Sequence, residues 1–203
     1  MVNNEHSSTE ARILAAAKRV FVKNGMAGAR MQDIADEAGI NKALLHYYFR
    51  NKELLFEKIF LESAADFWPQ LTAVLESDAP LFKKIESFSE VYIDKFVADP
   101  YLPLFVLSEM NRRPRQFFKK MFGGNPPNPQ KLLVQIEEQV KAGVIRPVDP
   151  VQLIINMISL TVFPFVGKPM FMAVMNISEA DFEKQIRVRR KEVAHFIIES
   201  IKK

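Results

Sequence analysis

Apolar residues recur along this chain at intervals of three and four, and nowhere in the strict alternation of a half-buried strand, so the pattern predicts an all-α protein. The first helix opens at a Ser8 or Thr9 cap, sets Ile13, Leu14, Ala17, Val20 and Phe21 on one face, and ends at Asn24-Gly25. A short second helix covers about 31–38, burying Ile34, Ala35 and Ala38, and stops at Gly39, where a residue without Cβ accepts positive φ. The third runs from Lys42 to Phe49 behind an Asn41 cap, with Leu45 and Phe49 facing inward. Asn51 caps a fourth, longer helix carrying Leu54, Leu55, Ile59, Ala64 and Phe67, disturbed at Pro69. Beyond Ser77-Asp78-Ala79-Pro80 the pattern predicts helices at about 81–98, 101–122 with a break near Pro114, 129–143, 150–165 and 178–201. Ser178 and Asp181 have capping-box spacing at the start of the last one.

Two short helices around a glycine turn, the second presenting small, basic and aromatic residues, have the geometry to lay one helix in a major groove. Pattern alone leaves a plain helical hairpin as an equal alternative. Charge adds modest support. The net charge is +4, and the stretch from Met1 to Lys52 holds eight basic and five acidic residues, so most of the excess lies at this end.

The run Asp33-Ile34-Ala35-Asp36-Glu37-Ala38-Gly39-Ile40-Asn41-Lys42, followed by Leu45-His46-Tyr47-Tyr48-Phe49-Arg50-Asn51-Lys52-Glu53-Leu54-Leu55, closely resembles the signature of TetR-family regulators. The resemblance covers about Ala11 to Ile59. It implies a helix-turn-helix DNA-binding domain over 1–52 and a helical effector-binding and dimerisation domain over 53–203, with a fourth helix linking the two. Carried over by position, Gln32, Lys42, Ala43 and Leu44 face base edges, and Tyr47, Tyr48 and Lys52 lie against phosphates. The chemistry suits this: Lys42 can donate to guanine, Gln32 can pair with adenine, and Leu44 offers contact to a thymine methyl. Arg30 stands where the family often has Thr or Ser, which trades a cap for a cation within reach of phosphate. His46 replaces the usual tyrosine of the recognition helix, either as a DNA contact or as a solvated side chain. Asn41 completes the set as the cap beside the recognition helix.

After about Phe60 no motif names a ligand. Phe67, Phe88, Tyr92, Phe96, Phe105, Met110, Phe117, Met121, Met157 and Phe163 are candidate linings for an adaptable apolar pocket, and equally the stuff of any helical core. The basic cluster Arg112, Arg113, Arg115, Lys119 and Lys120 reads as a solvated face before it reads as an anion site. The stretch from Pro150 to Gly167 has no charged residue, which marks a helix buried on two sides more than a membrane span. With the final helix it fits the dimerisation that the resemblance implies, with Met157, Leu160, Phe182, Ile186, Val193, Phe196 and Ile197 as expected interface residues.

Other function classes fare worse. Without cysteine there is no disulfide, thiolate nucleophile or zinc-thiolate site. The three histidines, His6, His46 and His195, are scattered, and no phosphate loop or nucleophile elbow occurs, so neither an enzyme nor a metal or other cofactor is expected. The start of the chain lacks a secretory pattern, which places the protein in the cytoplasm. The sequence thus predicts a homodimeric, ligand-responsive regulator, a repressor that releases a palindromic operator when a small apolar molecule binds. A helical protein-interaction scaffold is the alternative.

Overall fold

The computed structural model describes residues 2–100, 102–112, 114–122 and 127–203; the side chains of residues 2–7, Val22, Phe105, Ser108, Glu109, Arg112, Pro114, Gln116 and Lys120 lie outside that description. Eleven helices follow one another among the described residues: α1 (Val2–Gly28), α2 (Met31–Ala38), α3 (Lys42–Tyr48), α4 (Lys52–Glu76), α5 (Leu81–Ala98), α6 (Leu102–Arg112), α7 (Pro114–Phe122), α8 (Gln130–Lys141), α9 (Pro150–Val166), α10 (Lys168–Met175) and α11 (Glu179–Ile201). The all-α prediction holds, with two differences of detail. Helix α1 begins well before the Ser8 or Thr9 cap and continues past Asn24, kinking at Gly25, whose φ of 66° only glycine adopts cheaply. Helix α10 was not foreseen, because Lys168-Pro169 starts it directly after α9 and its Met-rich turn has no charged face to set a period.

The chain divides into two compact units, Met1–Ala65 and Asp66–Lys203. The boundary expected after Lys52 marks only where α4 begins. The first unit extends further because Leu55, Phe56, Ile59 and Phe60 of α4 are buried, with the Phe56 ring meeting Phe21 of α1 edge-on at 4.7 Å. Around them the core of this unit is aliphatic: Ile13, Leu14, Val20, Ile34 and Leu45.

In the second unit α5 is the central element. It buries Leu81, Ile85, Phe88, Tyr92, Ile93 and Phe96 and packs against α8, α9 and α11. Arg190 of α11 fixes the register by a bidentate pair with Asp94 at 2.8 and 2.9 Å and a further bond to Glu90 at 3.1 Å. Caps define the ends: Asp149 accepts from the Gln152 amide at 2.9 Å, and Ser178 accepts from the Asp181 amide at 3.2 Å while donating to the Asp181 carboxylate at 2.6 Å.

Two cations, the buried Lys84 and the half-buried Arg189, serve helix ends and breaks. Lys84 is almost wholly enclosed and donates to the Leu75 carbonyl at 3.1 Å, capping the C-terminus of α4; burial, reinforced by nearby Lys131, lowers its pKa from the ordinary lysine value. Pro164 inside α9 has no amide to offer the Leu160 carbonyl, and Arg189 of α11 supplies the missing donors at 2.7 and 3.2 Å. No single helix among the described residues is long and apolar enough to cross a membrane; α9 and α10 are so only together, and they meet at a 70° bend.

Candidate functional site

The turn between α2 and α3 is built by backbone geometry. Gly39 takes φ 63°, its amide bonds the Asp36 carbonyl at 3.1 Å, and the Ile40 amide bonds Ala35 at 3.0 Å, which closes α2 in a Schellman motif. Asn41 then caps α3, its side-chain oxygen accepting from the Leu44 amide at 2.7 Å. The cap orients α3 so that Leu45 is fully buried while Lys42, Ala43, Leu44 and His46 are exposed and Tyr47 is 74% exposed. Tyr48 is half-buried and holds its ring edge-on to Tyr47 at 5.5 Å. One helix therefore presents a cation, a methyl, an isobutyl group and a phenol to the outside from a rigid base. These are the group types that read base edges and grip phosphates.

On α2, Gln32 is exposed and donates to Asp36 at 2.8 Å, which holds the amide in place and leaves its oxygen outward as an acceptor. Arg30 occupies the N-cap position of α2 with extended backbone but makes no side-chain cap, as guanidinium has no acceptor to offer. Half the usual box survives: Asp33 accepts from the Arg30 amide at 3.3 Å. The Arg30 side chain is exposed. His46 bonds through Nδ1 to the Arg50 carbonyl at 3.1 Å. In the neutral ring that fixes the proton on Nδ1 and turns Nε2 outward as an acceptor.

Lys52 departs from the expectation of a phosphate contact. Its ammonium donates to the carbonyls of Met26, Ala27 and Ala29 at 3.0, 3.4 and 3.1 Å. Those carbonyls lie at the end of α1 beyond the Gly25 kink, where the helix supplies no amide partners, and three ammonium protons match three acceptors. Lys52 thus ties the start of α4 to the loop before α2. Asn51 alongside it accepts from the Leu54 amide at 2.8 Å and caps α4.

In the second unit, the expected pocket residues Phe67, Phe88, Tyr92 and Phe96 come together. Tyr92 lies 4.9 Å from Phe67, 4.6 Å from Phe88 and 5.4 Å from Phe96, ring centre to ring centre. Burial pushes the Tyr92 phenol well above its ordinary pKa. Met157 and Phe117 are buried, Met110 and Met121 half-buried, and Phe105 falls outside the described side chains. Phe163 stands apart, half exposed against Phe171 at 5.8 Å. Sequence reasoning missed Trp68, the chain's one tryptophan, which joins the cluster through Phe67 at 4.7 Å and Phe122 at 4.8 Å; Phe165 joins through Phe96 at 5.2 Å. The Trp68 Nε1 is buried and finds no acceptor among the described residues.

The expected interface residues divide between the interior of the single chain and its surface. Met157, Phe182, Ile186, Val193 and Ile197 are buried within the single chain, Leu160 is half-buried, and Phe196 is 64% exposed. The reason is α5: α9 and α11 turn their most regular apolar stripes toward it. Their outward faces carry Val151, Ile155, Ile158 and Phe163 on α9 and Val188 and Phe196 on α11. Of the basic cluster, Arg115 and Lys119 are exposed, whereas Arg113 and the side chains of Arg112 and Lys120 lie outside the described residues. Among the described residues no group of acidic, histidine or cysteine side chains is arranged to hold a metal ion.

With this geometry in hand, comparison with known proteins agrees on one lineage. The family model described as bacterial regulatory proteins, tetR family, matches residues 13–59, which span the end-to-end helix-turn-helix. The HTH-type transcriptional regulator RutR of Escherichia coli is 31% identical over 160 residues, covering 73% of this chain and 69% of the relative. An HTH-type transcriptional repressor of Streptomyces coelicolor is 32% identical over 102 residues, half of each chain. Among solved structures, the ketosteroid transcriptional regulator KstR2 of Mycobacterium tuberculosis superposes with a TM-score of 0.73 over 96% of this chain and 95% of its own, at 15% identity, and so shares the fold. The hemolysin II transcriptional regulator HlyIIR matches with a TM-score of 0.62 at 22% identity over 97% of this chain and 98% of its own. The chain belongs to the TetR family of bacterial transcriptional regulators, DNA-binding proteins with a ligand-responsive C-terminal part, and is not an enzyme.

Proposed function

We propose that the protein is a homodimeric repressor that binds a palindromic operator in the cytoplasm and leaves it when a small apolar molecule binds the second unit. The observation that carries this reading is the outward set on α3: Lys42, Ala43, Leu44 and Tyr47 are exposed together on a helix whose Leu45 is fully buried. The buried Leu45 fixes this face outward, and an apolar Leu44 between a cation and a phenol suits contact with base edges and thymine methyls. Gln32 and Arg30 extend the same chemistry from α2, and Asn41 and Lys52 serve by holding the helices that carry it.

Dimerisation in this reading uses the outward faces of α9 and α11. Val151, Ile155 and Ile158 follow one stripe of α9 at helical spacing, and Phe196 and Val188 stand exposed on α11. Apolar side chains of that size in that number favour burial against a second copy. A two-fold pair presents two recognition helices to half-sites about 34–36 Å apart, or a further turn of duplex. Release follows if the effector favours a conformation of α4 that misplaces them, with a coupling of about 1–3 kcal/mol, or roughly 5–150-fold in operator affinity.

Selection of duplexes from a random library at fixed salt, comparing the native protein with Lys42→Ala, tests the reading. The native protein enriches a palindrome, and Lys42→Ala loses preference at one position in each half-site at a cost of about 1–3 kcal/mol. No enrichment by folded dimeric protein at low salt overturns it in favour of the scaffold.

A further inference from the structure

We propose that Trp68 recognises the effector: its indole N–H donates to a neutral acceptor, such as a ketone oxygen, on an apolar aromatic molecule that packs against the rings of Phe67 and Phe122. The inference rests on the effector-responsive reading above. An indole N–H has one donor and no acceptor, and leaving it buried and unmet forfeits its hydration without return. Trp68 Nε1 is in that position. A phenylalanine would fill the same space, with Phe67 edge-on at 4.7 Å and Phe122 edge-on at 4.8 Å, at no such cost.

Among the described residues one other buried side-chain polar atom lacks a partner, the Gln135 Oε1, and it is an acceptor. The Leu160 carbonyl, stripped of its amide partner by Pro164, receives two bonds from Arg189. Trp68 Nε1 is thus the buried side-chain donor left unmet among the described residues, and it is open to an acceptor that a ligand brings. The rings beside it are uncharged, so a charged ligand would forfeit hydration without compensation, which selects a neutral acceptor.

Position gives the donor a mechanical role. Pro69 follows Trp68 within α4 and has no amide for the Ala65 carbonyl one turn back, so this turn lacks a helical hydrogen bond. The division of the chain into compact units falls between Ala65 and Asp66, in the same turn. A ligand bonded to Trp68 acts on the turn of α4 that Pro69 leaves one backbone hydrogen bond short.

The test uses two probes with one three-ring frame, 9-fluorenone and fluorene, which differ in the carbonyl. Because Trp68 is the single tryptophan, its fluorescence reports binding to the full-length protein directly, and calorimetry covers variants without it. The native protein binds 9-fluorenone about tenfold tighter than fluorene, the worth of one buried hydrogen bond. In Trp68→Phe the ratio falls to about one while fluorene affinity is retained. Global replacement of tryptophan by benzothienylalanine, which keeps the shape and removes only the N–H, gives the same collapse and guards against misfolding of the phenylalanine variant. Equal affinities in the native protein, failure of both probes to bind, or a ratio that survives loss of the N–H each overturn the inference. Operator binding is followed in parallel: a Trp68-dependent preference without any change in operator affinity supports the site and counts against the effector reading, so the two fail separately.

Discussion

The two units of this chain place their expected site residues on opposite sides of the surface. In the first, Lys42, Leu44 and Tyr47 stand exposed over a core that includes Ile13, Phe21, Ile34, Leu45 and Phe56; in the second, Phe67, Phe88, Tyr92 and Phe96 are themselves core. A site that meets DNA must expose its chemistry and brace it from beneath, whereas a site for an apolar molecule shares its residue types with the packing around it. Mutation should therefore separate stability from function in the first unit and entangle them in the second.

The largest expected effect lies in the second unit. Phe67→Ala removes a ring that touches Trp68, Tyr92 and Phe96, at 4.7, 4.9 and 6.2 Å, and leaves a cavity in a cluster that cannot collapse around it. Thermal or urea unfolding should register a loss of about 3–5 kcal/mol. Lys42→Ala, exposed on α3, should unfold within about 0.5 kcal/mol of the native protein while losing base preference. A silent Phe67→Ala would break the contrast, by showing the aromatic cluster to be a loose lining and not a core.

The same contrast explains what could be read from the sequence. The helices, their caps at Asn41, Asn51 and Ser178, and the Gly39 turn were legible because each depends on local spacing and backbone chemistry. The exposed face of α3 was legible because Leu45 and Phe49 fix the inward side and the remaining positions follow. The destinations of long side chains were not. Lys52 and Lys84 each have four rotatable bonds, and only the folded backbone reveals that orphan carbonyls await them. Nor could one stripe of α9 or α11 be assigned to a partner subunit. Period tells that Met157 and Ile197 are buried, and α5 decides against what.

Lys52 offers a sharper test of where bracing ends and DNA contact begins. Lys52→Met keeps the aliphatic stem and removes the ammonium that reaches Met26, Ala27 and Ala29. Charged hydrogen bonds of this kind contribute about 1.5–3 kcal/mol, so the variant should unfold at correspondingly lower urea or temperature. Measured on folded protein, the slope of log operator affinity against log salt should stay as in the native chain, because no phosphate contact is lost. A slope shallower by about 0.9 per protomer with unchanged stability would make Lys52 a phosphate ligand instead.

Arg30 should show the opposite balance, with a small change in stability of the other sign. Its backbone is already in the extended conformation that an N-cap needs, at φ −116° and ψ 146°, yet its side chain cannot accept the Asp33 amide. Arg30→Ser supplies the missing acceptor while Asp33 keeps its own bond to the residue 30 amide, completing the reciprocal box. The gain should be about 0.5–1 kcal/mol in unfolding free energy. The same change removes an exposed cation at the start of α2, so the salt slope of operator binding should become shallower by about 0.9 per protomer. More stable protein that binds DNA less tightly would show that position 30 exchanges a cap for a phosphate contact. Greater stability with an unchanged slope would move Arg30 off the DNA face and leave the recognition surface to α3 and Gln32.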